Sequence, residues 1–252
     1  MTLIRSLMLL LALAASPAAL AKDVVVLCAG AVKPALTVLA PQWEARSGHR
    51  LQISYLTAGD MRRQLAAGAR ADIVILPLEN FTQLDADGLT DAASRRDLGA
   101  VVIGVAVKAG APLPDLSSED GVKRALLEAR AVTYMDPTRG TSGKHFDEVV
   151  LPRLGIRDAV RAKAVLGEGG MIAEKVARGE VDIAFQQMTE LLPVAGVQVA
   201  GALPPSLQKT TVYSAALMKA AAAPAEAAEL LAYLVAGEAR LVLMAKGFSS
   251  AP

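Results

Sequence analysis

The chain has 252 residues, 53% of them hydrophobic and 20% charged, enough for one large core or two small ones. A formal net charge of +1 and an aromatic content of 4% exclude the basic, base-stacking surfaces of a nucleic-acid binder. A single cysteine, Cys28, excludes an intrachain disulfide.

The opening MTLIRSLMLLLALAASPAALAKD carries a positive residue, Arg5, then an apolar stretch over 7–15 and a small-x-small site at 19–21. It reads as a secretory signal peptide over residues 1–21. The alternative, an N-terminal anchor, asks for roughly 20 apolar residues, more than this run offers. The mature chain is therefore expected in the periplasm, soluble and monomeric.

DVVVLC (23–28) is an unbroken apolar run, the mark of a strand buried on both faces, with Cys28 as a buried thiol. AGAVKPAL turns it into a helix: Pro34 suits a first turn, Leu36, Leu39 and Trp43 recur at helical spacing, and Gly48 ends the element. LQISY (51–55) alternates like a strand, TAGD opens a helix ending near Gly68, and ADIVIL (71–76) is a third strand. This strand–helix alternation implies a parallel sheet with right-handed crossovers. VVIGVAV (101–107) and AVTYM (131–135) are further strands, the second leading into MDPTRGTSGKHF. GEGGMIAEKVARGEVDIAF predicts a glycine loop, a helix carrying Ile172 and Val176, and a strand over 181–185. TTVYSAALM (210–218) is a long strand, and PAEAAELLAYLVAGEARLVLMAKGF a helical tail with Ala227, Leu230, Leu231, Leu234 and Val235 on one stripe.

Three loops share one grammar, a strand followed by small or hydroxyl residues and a helix start: 29–33, 57–60 and 140–144. A fourth, 167–171, has the glycines and the helix. Helix N-termini offer unpaired N–H groups and partial positive charge, and ligands of open α/β sheets sit beyond the strands' carboxyl ends. Several such termini converging would hold a small anion at Gly30, Ala31, Ala58, Gly59, Thr141, Ser142, Gly167 and Gly170, with charge from Arg139. Each loop taken alone is more often an ordinary capped connection, with Thr57 and Asp60 as cap residues; the case rests on their recurrence. Asp60 and Glu168 set negative charge nearby; Arg62 and Arg63 either offset it or are simply solvated helix faces. Phe185 reads as core sooner than as ligand wall, but its strand end faces the expected cleft, where Gln186 and Gln187 add neutral hydrogen-bonding groups.

Enzymatic motifs are missing. GTSG lacks the Gly-x-Ser-x-Gly spacing of a nucleophile elbow, and His145 stands where a phosphate-binding P-loop needs Ser or Thr. His49 and His145 have no metal-ligand spacing. No catalytic residue, metal or cofactor is expected.

The order and spacing of VVVLCAGAVKPALTVLAPQWEARSGHRLQISYLTAGDMRRQLAAGARADIVILP, VVIGVAV, MDPTRGTSGKHF, ARGEVDIAF and YLVAGEARLVLMAKGF resemble the periplasmic molybdate-binding proteins of ABC transporters. The resemblance implies an α/β, two-lobed type II periplasmic-binding fold, each lobe a mostly parallel sheet flanked by helices. Residues 22–104 and 209–252 would form a discontinuous first lobe and 105–208 the second, with crossing strands near 101–107 and 209–218. It implies an ABC permease as partner and a molybdate- or tungstate-like oxyanion as ligand. The family's two serine positions fall on Ala31 and Ala58, its backbone-amide positions on Ser142 and near Gly167, and its tyrosine on Phe185. An organic carboxylate paired with Arg139, Arg62 or Lys33 is the alternative ligand. A sensor subunit and an exported enzyme on the same scaffold are the alternative roles.

Overall fold

The computed structural model describes residues 21–251, so the expected signal peptide lies outside the described residues except for Ala21. In chain order, β1 (Asp23–Ala29), a 3-10 turn (Gly30–Val32) and α1 (Lys33–Ser47) precede β2 (Arg50–Leu56), α2 (Ala58–Ala66) and β3 (Ile73–Pro77). After α3 (Phe81–Ala86) comes the long β4 (Arg96–Lys108), then α4 (Glu119–Glu128) and β5 (Val132–Tyr134). A continuous helical stretch follows, made of α5 (Thr141–His145), a π-helical turn (Phe146–Val150) and α6 (Leu151–Leu154). The order continues with α7 (Arg157–Arg161), α8 (Glu174–Ala177), β6 (Ile183–Gln187), α9 (Met188–Leu191) and β7 (Val197–Ala202). Finally come β8 (Thr210–Leu217), α10 (Pro224–Leu234) and α11 (Gly237–Ala245).

The apolar runs of β1 and β3 are buried because β1 sits between β2 and β3, paired parallel to both. β8 lies antiparallel beside β3, and the first half of β4, Arg96 to Val102, lies antiparallel beside β8. From Ile103 the same β4 joins a second sheet, antiparallel to β6 and β7, with β5 parallel to β6. One strand thus threads both lobes. Where it passes between them, the Gln208 side chain clamps Ile103: its Oε1 accepts from Ile103 N at 2.8 Å and its Nε2 donates to Ile103 O at 2.9 Å. The amide side chain substitutes there for a paired strand at the Ile103 N–H, while the Ile103 carbonyl also accepts from Leu203 N at 3.2 Å.

The buried side chains separate accordingly. One core runs from Val24 to Val101 and resumes from Tyr213 to Phe248; another is built from Ile103 to Leu207. The β1–β3 expectations hold within two residues. The second-lobe strand expected at 181–185 is observed two residues later, because Gln186 and Gln187 pair with Gly104 and Ile103 of β4. The helix expected after the 167–171 loop shortens to the single turn of α8, and the C-terminal tail breaks into two helices at an extended Ala236. The half-buried strand β7 was not anticipated from the sequence. Among the described residues no helix is long and apolar enough to cross a membrane.

Candidate ligand-binding site

A cavity of about 340 Å³ lies between the lobes, at the carboxyl ends of β1, β2 and β5. Four loops wall it: 29–31 after β1, 55–60 after β2, 139–142 after β5, and 168–171 ahead of α8. Lys33, Pro77, Met135, Gln187, Glu190 and Tyr213 complete its lining.

Each loop is shaped by local chemistry. Thr57 caps α2, its hydroxyl accepting from Asp60 N at 3.1 Å and donating to Asp60 Oδ2 at 2.7 Å. The glycines of GTSG serve packing: Gly143 lies against the Met135 carbonyl and Gly140 against its side chain, with no room for a Cβ at either. That tight fold leaves Thr141 and Ser142 lining the cavity. The 168–171 loop is held by Gln186, which accepts from Ile172 N at 3.1 Å and donates to Gly170 O at 2.7 Å. Gln186 is thus a scaffold group rather than a free donor, whereas Gln187 lines the cavity.

Of the residues expected from the sequence, Gly30, Ala31, Ala58, Arg139, Thr141, Ser142 and Gly170 do line this cavity. Three do not. Gly59 lines an adjoining groove and joins the lobes: its N–H donates to Arg139 O at 3.0 Å, and a Cβ there would come within 2.8 Å of Thr138 O. Gly167 is behind the wall, bonded through its N–H to Tyr134 O at 2.9 Å and packed on Ile172. Phe185 is the clearest correction. It is 1% exposed and stacks on Phe146 at 4.3 Å inside the second-lobe core, two residues short of the end of β6, where Gln187 on the same face reaches the cavity. The tyrosine lining the cavity is Tyr213, from β8.

The charged groups divide similarly. Lys33 lines the cavity, its Nζ 5.4 Å from the Tyr55 ring centroid, while Arg62, Lys144 and His145 line the adjoining groove. His145 Nε2 is 2.9 Å from Leu207 O. Arg139 pairs with Asp60 across the lobes at 2.9 Å, and Arg63 pairs with the other carboxylate oxygen. Burial pushes the Asp60 carboxyl up, but the Thr57 hydroxyl and the two arginines outweigh it and hold it below the ordinary range. Arg139 keeps a buried Nε–H without a hydrogen-bond partner among the described residues. Burial pushes Tyr55 up to about 12 and Tyr213 well above its ordinary value, so both hydroxyls stay protonated.

Glu190 is the residue sequence reasoning missed. It is 7% exposed, and among the described residues no cation pairs with it. Burial pushes its carboxyl up to about 8 despite the opposing Gln186 amide, so at neutral pH it is mostly uncharged. The cavity therefore offers amide ends, hydroxyls and two cations against few free negative charges, an arrangement suited to an anion.

Residues 24–249 match the family described as bacterial extracellular solute-binding protein. The chain is 33% identical over 250 residues to an aconitate isomerase from Pseudomonas sp., covering 96% of this chain and 94% of that protein. Its fold matches the periplasmic molybdate-binding protein of Azotobacter vinelandii with a TM-score of 0.77 at 21% identity, over 91% of this chain and 100% of that one. It also matches the sulfate-binding protein SubI of Mycobacterium tuberculosis with a TM-score of 0.74 at 17% identity, over 90% of this chain and 86% of that one. The chain belongs to the bacterial extracellular solute-binding protein family, with the type II periplasmic-binding fold.

Proposed function

We propose that this solute-binding protein takes a small organic polycarboxylate, rather than a tetrahedral oxyanion, into the cleft between its lobes. One observation carries the reading: Ala31 and Ala58 line the cavity where serine hydroxyls were expected, while Lys33 and Arg139 supply charge. Hydrogen bonds to charged groups are worth about 1.5–3 kcal/mol each, so an oxyanion loses much by those alanines, whereas a carboxylate gains from planar, bidentate arginine. The name of the aconitate isomerase relative points to the same ligand class.

In this reading the lobes divide at 104/105 and 208/209 and close over the ligand in the periplasm, because only closure brings both sets of donors to it. The closed monomer then presents its lobe faces to an ABC permease. A thermal-shift series on the mature protein tests the ligand: di- and tricarboxylates are expected to raise the midpoint, molybdate, tungstate, sulfate and phosphate not. At a hundredfold excess over Kd a true ligand stabilises by about 2.7 kcal/mol. A shift by molybdate alone would return the site to the oxyanion class.

Glu190 favours a second reading. A pure receptor for anions gains nothing from a buried acid in its lining, whereas an enzyme that moves protons on a bound carboxylate does. Incubating the protein with cis- or trans-aconitate and following the isomer ratio distinguishes turnover from binding.

A further inference from the structure

We infer that Glu190 is the proton carrier of this cleft, taking a proton from one carbon of a bound unsaturated polycarboxylate and returning it to another. The inference rests on the carboxylate reading of the site and adds to it the residue that performs the chemistry.

The geometry is specific. Glu190 sits on α9, directly after β6, and α9 packs on both β4 and the 3-10 turn that opens α1. Its Oε1 rests against Gly30, where a Cβ would come within 2.9 Å of that oxygen. The first lobe thus closes over one side of the carboxyl, and the cavity lies on the other. Gln186, its neighbour on β6, is committed to Ile172 N and Gly170 O. Lys33, Arg139, Asp60 and Glu168 also line the cavity, but none makes an ion pair with Glu190. Cations placed to hold carboxylates and an unpaired acid share one small chamber.

The chemistry follows from this division. Moving a double bond by one carbon needs a C–H bond broken at the methylene and a C–H bond formed at the former vinylic carbon. The electron pair left by the first step delocalises into the double bond and its carboxylate, for which Lys33 and Arg139 are the available counter-charges. The proton resides on Glu190 between the two steps, and the carboxyl ends as it began. No oxidant, reductant or co-reactant is required. Burial sets the group near neutrality, where one carboxyl serves both as base and as acid.

The test uses the mature protein with cis- and trans-aconitate in D2O, following isomer ratio and deuterium incorporation by NMR, with thermal shift run in parallel. Wild type is expected to interconvert the isomers and exchange the methylene protons. Glu190→Gln keeps shape and neutrality; it is expected to retain the ligand-induced thermal shift and lose both reactions by about 100-fold or more. Glu190→Asp withdraws the carboxyl by one methylene and is expected to lose about tenfold or more, which keeps the test open should the Gln variant not fold. Undiminished turnover in whichever variant folds overturns the assignment. A thermal shift in wild type without interconversion or exchange overturns the inference and leaves the binding reading standing. No thermal shift with either isomer overturns the carboxylate reading, and the inference with it.

Discussion

The second-lobe segments bury two carboxyls, and they have opposite fates. Asp147, 1% exposed in the π-helical turn, accepts from Arg157 at 2.7 Å, from Arg161 at 2.5 and 2.7 Å, and from the Tyr134 hydroxyl at 3.1 Å. The arginines and the hydroxyl overcome burial and hold it down at about 2. Glu190, 7% exposed, has no cation partner among the described residues, and burial drives it up to about 8. Burial pushes both carboxyls up; it prevails at Glu190, where no cation opposes it among the described residues, and is outweighed at Asp147 by the arginines and the hydroxyl. Asp147 is fully compensated and far from the cavity, as a structural charge must be. Glu190 is uncompensated and lines the cavity, as a group held ready for a ligand would be.

The comparison breaks most visibly through Asp147. Asp147→Ala removes the acceptor of two half-exposed arginines and is expected to cost about 1.5–3 kcal/mol of stability, read by urea unfolding, with ligand affinity unchanged below the melting range. A loss of affinity at constant stability would tie that cluster to the cleft instead.

Next come opposite pH slopes. The folded carboxyl of Glu190 binds its proton more tightly than the unfolded one, whose ordinary value is 4.5. Its favourable contribution is complete below about pH 4.5 and is lost as pH rises through about 8. Tyr213 and Cys28, the other buried titratable groups near it, are both pushed up and stay neutral over that window. Glu190→Gln should therefore match wild type at pH 4.5 and exceed it at pH 8 by an amount on the order of a few kcal/mol. Asp147 runs the other way: its contribution is present above 3.8 and is lost as pH falls toward 2. Parallel slopes in the two variants would erase the contrast.

Smaller effects sharpen the picture at the rim. Arg139→Ala removes the pair with Asp60 and one cation from the cavity. It is expected to weaken a carboxylate about 10- to 100-fold in calorimetry, with little loss of stability in the ligand-free protein. Gly59→Ala sets a methyl against Thr138 O and should resist closure, seen in X-ray scattering as reduced compaction with a saturating carboxylate. Compaction equal to wild type would show that the lobes meet less tightly in solution.

Much of this was legible in the sequence. The runs of β1 and β3 and the small-residue loops announced both the fold and the walls of the cleft, because a strand buried on both faces and a helix start each leave a local signature. The floor was only half legible: Gln187 stood out as a polar group at a strand end, Glu190 did not. Glu190 and Gln187 lie in IAFQQMTELL, where a four-residue helix follows a strand and no glycine marks the turn. The polar run after a buried strand was the available signal, since burial of Gln-Gln and Glu requires a reason. Tyr213 was hidden differently, being one apolar-looking position in a long strand whose partner across the cleft is distant in sequence. Phe185 misled because the strand was expected to end there; β6 runs on to Gln187, and it is that residue, on the same face, that reaches the cleft.

The Gln208 clamp on Ile103 has a consequence for measurement. The Ile103 amide is guarded by a side chain rather than by a neighbouring strand, at the one place where β4 leaves the first sheet for the second. If the lobes swing apart by bending there, this proton is released to solvent each time they do. Its isotope-exchange rate then serves as a clock for opening, slowed by whatever fills the cleft, and needs neither a label nor a partner protein to be read.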